Sequence, residues 1–259
     1  MTDQLSMRIP HDISTPADRR RPFVDVELVI PALNESARLP RTLAHSVAFL
    51  RDQPWSSRLV VVDNGSVDDT PAVARRAAAE LGAEIPIEVV GCSRPGKGAA
   101  VRRGLLNSSS RYVGFFDADL ATPVETLTAA VEHLESGATA VIASRHLPES
   151  SFVRPQQVGR RAGGAAFRAL ARGLVRGVRD TQCGFKLFER DAAVRALVQC
   201  RTEGFAFDVE LLHRVQRDGG TIVELPIAWT DSPDSRFHPI RDGVPSFGAI
   251  LRMQRAMSA

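Results

Sequence analysis

Two carboxylates stand two residues apart at the end of an apolar run, Arg111-Tyr-Val-Gly-Phe-Phe-Asp117-Ala118-Asp119. If the run is a strand, alternate side chains point the same way, and Asp117 and Asp119 converge on one divalent cation. Hard oxygen ligands suit Mg²⁺ or Mn²⁺, ions that commonly bridge carboxylates to substrate phosphates. The pair therefore suggests chemistry on a nucleotide diphosphate. The spacing also occurs at solvated strand ends, so other segments must agree with it.

The basic residues supply a second clue. Of 33 Lys and Arg, only Lys97 and Lys186 are lysine. A chain so rich in Arg that keeps two lysines suggests two places where a compact ammonium is needed rather than a planar fork. Lys97 stands in Arg94-Pro-Gly-Lys-Gly98, where glycines let the backbone approach a ligand closely. This is not a Walker phosphate loop, because G-x-x-x-x-G-K-[ST] is absent.

The elements that must carry these residues follow from periodicity. Strands are expected over Val26–Pro31, Leu59–Asp63, Ile87–Val90, Tyr112–Asp117, Ala140–Ala143 and Ile222–Ala228, with helical patterns between them. Leu39, Leu43, Val47 and Leu50 keep helical spacing. Thr70-Pro71 reads as a helix start with Gly82 as its stop. Thr122-Pro-Val-Glu125 fits a capping box with Gly137 ending that helix. Strands alternating with helices imply an α/β fold, a mostly parallel sheet covered on both faces, whose ligands bind beyond the carboxyl ends of the strands. Asn34 and Glu35, Asp63, and Asp117 with Asp119 all fall at such ends.

Composition bounds the rest. The 259 residues are 44% hydrophobic and 24% charged, ordinary for one large globular domain. A net charge of +3 is too small to argue for nucleic acid. Cys92, Cys183 and Cys200 have no C-x-x-C spacing, so neither a disulfide framework nor a zinc site is indicated, and a reducing cytoplasm fits. No apolar run approaches the ~20 residues of a spanning helix, and no signal-peptide core is present. Residues 1–22 are polar and read as a disordered tail.

In order along the chain, Val29-Ile-Pro-Ala-Leu-Asn-Glu35, Val60-Val-Val-Asp63-Asn-Gly-Ser66, Arg94-Pro-Gly-Lys97-Gly-Ala-Ala-Val-Arg102 and Asp117-Ala-Asp119 resemble family 2 glycosyltransferases of GT-A fold. Asp180-Thr-Gln-Cys-Gly-Phe-Lys-Leu-Phe188 and Phe205-Ala-Phe-Asp-Val-Glu-Leu-Leu212 are similar to the dolichyl-phosphate β-glucosyltransferase branch. The resemblance implies one GT-A domain over 23–259, Rossmann-like, with a nucleotide-binding half (23–120) and an acceptor half (121–240). It implies an inverting, metal-dependent transfer of a sugar, glucose from UDP-glucose ahead of a GDP-sugar, to a polyprenyl phosphate.

Roles carried by the resemblance are as follows. Pro31, Ala32 and Glu35 line the nucleoside pocket, with Ala118 beside them, and Asp63 accepts a hydrogen bond from the base. Lys97 meets the pyrophosphate or the base edge. Asp117 contacts ribose or metal, and Asp119 the Mg²⁺ or Mn²⁺. Some mannosyl relatives place a third metal ligand where this chain has Ala121, so the ion would lean on Asp119, diphosphate oxygens and water.

A phosphate acceptor is already anionic and needs positioning rather than a general base, whereas a sugar hydroxyl needs one. Arg145, Gln182, Lys186 and above all Arg236 are the acceptor-side candidates, and Arg236 is also a catalytic one. Asp208 and Glu210 are candidates for base or acceptor orientation. The run Phe207–Val215 reads as helical, so only one of the two reaches the site. Arg168, Arg172 and Arg176 at four-residue spacing, with Phe167, Leu170, Leu174, Val175 and Val178 on another side, suit either a helix on an anionic membrane surface or an amphipathic helix packed on the sheet. Three functions stay open: the polyprenyl-phosphate transferase, the same donor chemistry on a soluble acceptor, and a non-catalytic nucleotide-sugar-binding module.

Overall fold

Strand β1 (Val26–Ala32) and strand β2 (Ser57–Asp63) are apolar on both faces, as strands buried in a parallel sheet must be. They pair in parallel with Ala32 opposite Asp63, and β3 (Ile87–Gly91) extends the row with Gly91 opposite Asp63. The computed structural model describes residues 23–152, 158–230 and 243–258. On its other side β1 pairs with β4 (Tyr112–Phe116), Val29 opposite Phe115. The seven-stranded sheet runs β3-β2-β1-β4-β7-β5-β8, where β5 is Ala140–Ser144, β7 Phe185–Glu189 and β8 Ile222–Pro226.

Strand β7 is the exception to the parallel rule. It lies antiparallel between β4 and β5, with Lys186 opposite both Phe115 and Ile142. A parallel strand brings its last residue to the carboxyl edge, and an antiparallel one brings its first. The segment 180–184 that enters β7 therefore arrives where β4 delivers Asp117, and Asp117 N–H donates to Gly184 O at 3.0 Å.

Strand alternation divides the core into two layers. Leu28, Ile30, Val61 and Phe116 face α1 (Leu39–Leu50), α2 (Thr70–Leu81) and α4 (Thr126–Glu135). Val29, Val60, Val62 and Phe115 face α3 (Lys97–Leu105), α5 (Val158–Ala171), α6 (Arg190–Gln199), α7 (Phe207–Arg217) and α8 (Val244–Ser258). A short pair, β6 (Ser151–Phe152) with β9 (Ala228–Trp229), lies outside the main sheet.

Several expected elements shift. The strand expected to reach Asp117 stops at Phe116, and Leu120 takes φ 53 in the turn that follows. Asp117 and Asp119 are thus presented by a turn, not by strand alternation. The expected strand Ile222–Ala228 divides at Ile227. The Thr122 capping box does not form: α4 begins at Thr126, and Thr122 Oγ1 lies 3.5 Å from Cys183 Sγ instead. In α2, Asp69 is the cap and Thr70 opens the helix, its hydroxyl hydrogen-bonded to Asp68 Oδ1 at 2.5 Å.

The stretch with three spaced arginines packs its apolar side inward. Helix α5 ends at Ala171, so Arg172 and Arg176 lie beyond it. Phe167, Leu174, Val175 and Val178 are buried, and Phe167 meets Phe247 edge to face at 5.4 Å. This apolar face packs on the core, as the amphipathic-helix alternative expects. Among the described residues, no helix is long and apolar enough to cross a membrane.

Candidate active site

Everything that positions the site meets at the carboxyl edge of β1, β2 and β4. Pro31 and Ala32 end β1, and Ala32 is buried while Pro31 is half-buried. Asn34 then turns the chain in the left-handed region (φ 56), a conformation Asn tolerates better than most residues. Its Oδ1 accepts from Val67 N–H at 2.9 Å, and its own N–H donates to Ser66 Oγ at 2.9 Å. Glu35 clasps Arg38 through two contacts of 2.6 Å, a bidentate carboxylate–guanidinium pair. The loop after β1 is thereby stitched to the loop after β2.

Asp63 is half-buried at the end of β2, and its Oδ1 accepts from Ser66 N–H at 3.3 Å. Its neighbour Asn64, not singled out by sequence, braces the Gly-Lys-Gly turn. Asn64 Nδ2 donates to Arg94 O at 2.6 Å and Asn64 Oδ1 accepts from Gly96 N–H at 2.8 Å. Gly96 has φ 115 as it opens α3, and a side chain there would strike Glu203 O at 2.3 Å. A side chain on Gly98 would strike Phe207 Cβ at 2.5 Å. These two glycines let the start of α7 seat directly against the start of α3.

Lys97, the first residue of α3, forms an ion pair with Asp117, Nζ to Oδ1 2.6 Å. Burial pulls the ammonium pKa down, but the carboxylates of Asp117, Asp208 and Asp119 outweigh it, and the net shift is up. Lys97 is therefore a fixed cation. Asp119 Oδ1 accepts from Ala121 N–H at 3.0 Å, and burial followed by the charge of Asp117 raises its carboxyl pKa. That is the signature of two carboxylates with less positive charge nearby than they could use. Ala118 is buried between them, and its carbonyl accepts from Thr42 Oγ1 at 2.6 Å.

No cluster of three His, Cys, Asp or Glu able to hold a metal exists among the described residues. Asp117 and Asp119 fit an Mg²⁺ or Mn²⁺ that takes its remaining ligands from diphosphate oxygens and water, the usual manner of Mg²⁺.

Behind this outer pair stands a second one. Lys186 Nζ is 2.7 Å from Asp208 Oδ1 and donates to Cys183 O at 2.7 Å. Both lysines lie over Phe115, Lys97 at 5.7 Å and Lys186 at 5.3 Å from the ring centroid. The two lysines of the chain are thus neighbours in space, each matched to an aspartate. Lys186 is fully buried, which corrects its placement as an acceptor ligand. Of the two α7 carboxylates, Asp208 joins the site cluster. Glu210 instead accepts from Arg201 N–H (3.0 Å) and Thr202 N–H (2.7 Å) and lies 3.6 Å from Arg214, so it holds the loop before α7 rather than meeting a substrate.

On the acceptor side Arg145 is locked to Asp180. Its Nε and Nη2 donate to the two carboxylate oxygens at 2.7 and 2.9 Å, and its N–H to Oδ2 at 2.9 Å. Burial raises the Asp180 pKa, but Arg145 outweighs it and holds the group well below the usual carboxylate range. Gln182 N–H donates to Asp180 Oδ1 at 3.2 Å, while its Nε2 is buried with no hydrogen-bond partner among the described residues. Arg236 lies outside the described residues.

Gly184 is the functional residue that sequence reasoning passed over. A side chain there would lie 1.9 Å from Asp117 Oδ2. Its signal was present only as one letter of the 180–188 motif, because nothing local distinguishes a glycine that must admit a distant carboxylate.

The chain matches the family model described as "Glycosyl transferase family 2" over residues 27–195. It is 32% identical over 260 residues to a dolichyl-phosphate beta-glucosyltransferase of Dictyostelium discoideum, covering 94% of this chain and 79% of that one. The Homo sapiens dolichyl-phosphate beta-glucosyltransferase is 33% identical, over 84% and 71% of the two chains. In fold the chain is similar to glucosyl-3-phosphoglycerate synthase of Mycobacterium tuberculosis in complex with UDP. The TM-score is 0.62 at 23% identity, covering 88% of this chain and 79% of that one. A crystal of that synthase with Mn²⁺, UDP and phosphoglyceric acid gives a TM-score of 0.61 at 24% identity over 88% and 75%.

Proposed function

The chain belongs to glycosyl transferase family 2 and is a glycosyltransferase of GT-A fold, and on that premise we propose that it moves glucose from UDP-glucose to a polyprenyl phosphate with inversion at the anomeric carbon. The observation that carries the donor side is the Lys97–Asp117–Asp119 group, with a fixed cation and two carboxylates meeting at the carboxyl edge of the sheet. The acceptor and the sugar draw their support from the dolichyl-phosphate glucosyltransferases that this chain resembles along most of its length.

Asp117 and Asp119 would hold Mg²⁺ or Mn²⁺, which neutralises charge building on the leaving diphosphate. Lys97, paired with Asp117 at 2.6 Å, would add a second positive charge beside the diphosphate. Pro31, Ala32, Glu35 and Asp63 line the nucleoside end. Gln182, whose amide nitrogen is buried with no partner among the described residues, would donate to a hydroxyl of the bound sugar. Asp208 acts by position rather than as a base: it is buried against Lys186, and an anionic phosphate acceptor brings its own nucleophilic oxygen. We place the enzyme in the cytoplasm with peripheral contact to the membrane that holds its acceptor; Arg172, Arg176 and Arg179 are exposed, and guanidinium groups of this kind would be drawn to anionic lipid.

The test is a donor and acceptor screen. Purified protein, Mg²⁺ or Mn²⁺, UDP- or GDP-sugars and a short polyprenyl phosphate are incubated, and nucleotide release and product mass are followed. A glucosyl phospholipid formed from UDP-glucose, and lost with Asp119→Ala in a folded variant, is the expected result. Near-normal turnover by Asp119→Ala overturns the metal assignment. Donor hydrolysis without lipid product moves the acceptor to a soluble phosphate.

A further inference from the structure

Next to the Arg145–Asp180 pair lies a cavity of about 530 Å³ lined by His146, Arg172, Val175, Gly177, Val178 and Arg179. His146 directly follows Arg145, and Arg179 directly precedes Asp180, so the cavity adjoins the acceptor side of the site. Arg168 approaches it as well, since its charge acts on His146. Among the described residues, no carboxylate pairs with the guanidinium of Arg168, Arg172 or Arg179. Asp180 is consumed by Arg145, and Glu224 by the backbone N–H groups of Arg179 (2.8 Å) and Asp180 (3.0 Å).

His146 Nε2 is buried with no hydrogen-bond partner among the described residues. Burial, and then the charges of Arg168, Arg145 and Arg172 against that of Asp180, lower the imidazole pKa, which keeps a neutral ring able to offer one N–H. Burial, and then the charges of Arg145 and Arg172 against that of Asp180, also lower the Arg168 pKa. Asp180 is already matched to Arg145, so the remaining guanidinium groups outnumber the nearby carboxylates, and an anionic ligand relieves the excess. Guanidinium groups meeting a phosphate donate paired hydrogen bonds to its oxygens, and a buried imidazole N–H adds another. Val175 and Val178 give the cavity an apolar wall. Beside His146 stands Phe152, 42% exposed, its ring 6.3 Å from the imidazole and 5.8 Å from Trp229.

We propose that the His146–Arg172–Arg179 cavity binds the phosphate of the acceptor, with Phe152 beside it for the apolar part that the phosphate carries. The assignment rests on the transferase reading above, and it replaces Lys186, which is buried under the site. A lipid-borne and a soluble phosphomonoester share this chemistry, and the experiment separates them.

Calorimetric titration of the whole chain with inorganic phosphate is compared between wild type, R172A/R179A and His146→Gln. Arg172 and Arg179 are exposed, so the double variant leaves the core intact. The double variant is expected to weaken phosphate binding at least about tenfold, and His146→Gln several-fold. In transfer assays with a short polyprenyl phosphate in detergent and with glycerol 3-phosphate, acceptor KM rises at least about tenfold in the double variant. UDP-glucose KM stays within about twofold, since the donor is held elsewhere. The acceptor whose KM moves identifies the source of the phosphate. Equal phosphate binding by wild type and double variant, or none by wild type, overturns the site. Lost phosphate binding with an unmoved acceptor KM overturns its assignment to the acceptor. Phosphate binding through the cavity in a wild type that glucosylates neither compound upholds the cavity and sinks the proposed glucosyl transfer instead.

Discussion

Two lysine–aspartate pairs flank Phe115, and they differ in one respect that decides their roles. In the outer pair, Lys97 is 17% and Asp117 40% exposed. In the inner pair, Lys186 is 0% and Asp208 4% exposed. Charges that reach solvent can exchange partners when a charged ligand arrives. Charges without access to water cannot, because separating them leaves an uncompensated ion in a low dielectric. In the proposed function the outer pair is the part that would meet a ligand, and the inner pair would fix the field in which it does so. The same residue pairing thus stands at two depths, one open to water and one closed to it.

The comparison is tested hardest by removing each ammonium. Lys186→Met strands Asp208 and is expected to cost about 3–5 kcal/mol in chemical denaturation. The double change Lys186→Met with Asp208→Leu should recover most of that loss, since apolar replacement of a whole buried pair is often near neutral. If Lys186→Met unfolds no more easily than wild type, the inner pair is not structural. Lys97→Met should leave stability within about 1 kcal/mol, because Asp117 is hydrated, while lowering kcat/KM about 10²–10³-fold through lost stabilisation of the leaving group. Unaltered turnover would place the charge that meets diphosphate elsewhere.

A smaller effect comes from the backbone that seats the outer pair. Gly184→Ala puts a methyl where Asp117 Oδ2 now lies and should displace that carboxylate, lowering kcat/KM about 10²-fold with little change in far-ultraviolet circular dichroism. Retained activity would show that Asp117 can work from another rotamer.

The smallest and most graded effect belongs to a third pair, Arg145–Asp180, buried like the inner one. The Asp180 pKa is depressed in the folded state, so the pair contributes stability above the unfolded value of about 3.9. That contribution fades as pH falls toward the folded value. The Tm difference between wild type and Asp180→Asn should therefore be flat from about pH 5 to 8 and shrink below about pH 4. A difference that stays constant into strong acid would mean that Asp180 is not held by Arg145.

The nucleotide half is where sequence reasoning carried furthest. Strands β1 and β2, helices α1 and α2, and the gathering of Asn34, Glu35, Asp63, Asp117 and Asp119 at one edge follow from local periodicity plus the single rule that ligands sit at the carboxyl ends of parallel strands. The later part of the sheet resisted because its decisive element, β7, pairs against the direction of its neighbours, and a run such as Phe185–Glu189 carries no mark of strand direction.

By itself the sequence determined which chemistry was available: an Arg-dominated chain with two lysines, a closely spaced aspartate pair, and glycines beside one of the lysines. It also determined most of the strands and helices, because apolar spacing is a local property. Only the tertiary structure decided that both lysines share Phe115, that Lys186 lies beneath the site and Lys97 in it, that Glu210 holds a loop, and that Gly184 must lack a side chain. Those outcomes depend on distances between residues far apart in the chain, and burial sets whether a charge can exchange partners. Neither distance nor burial is written in the spacing of residue types.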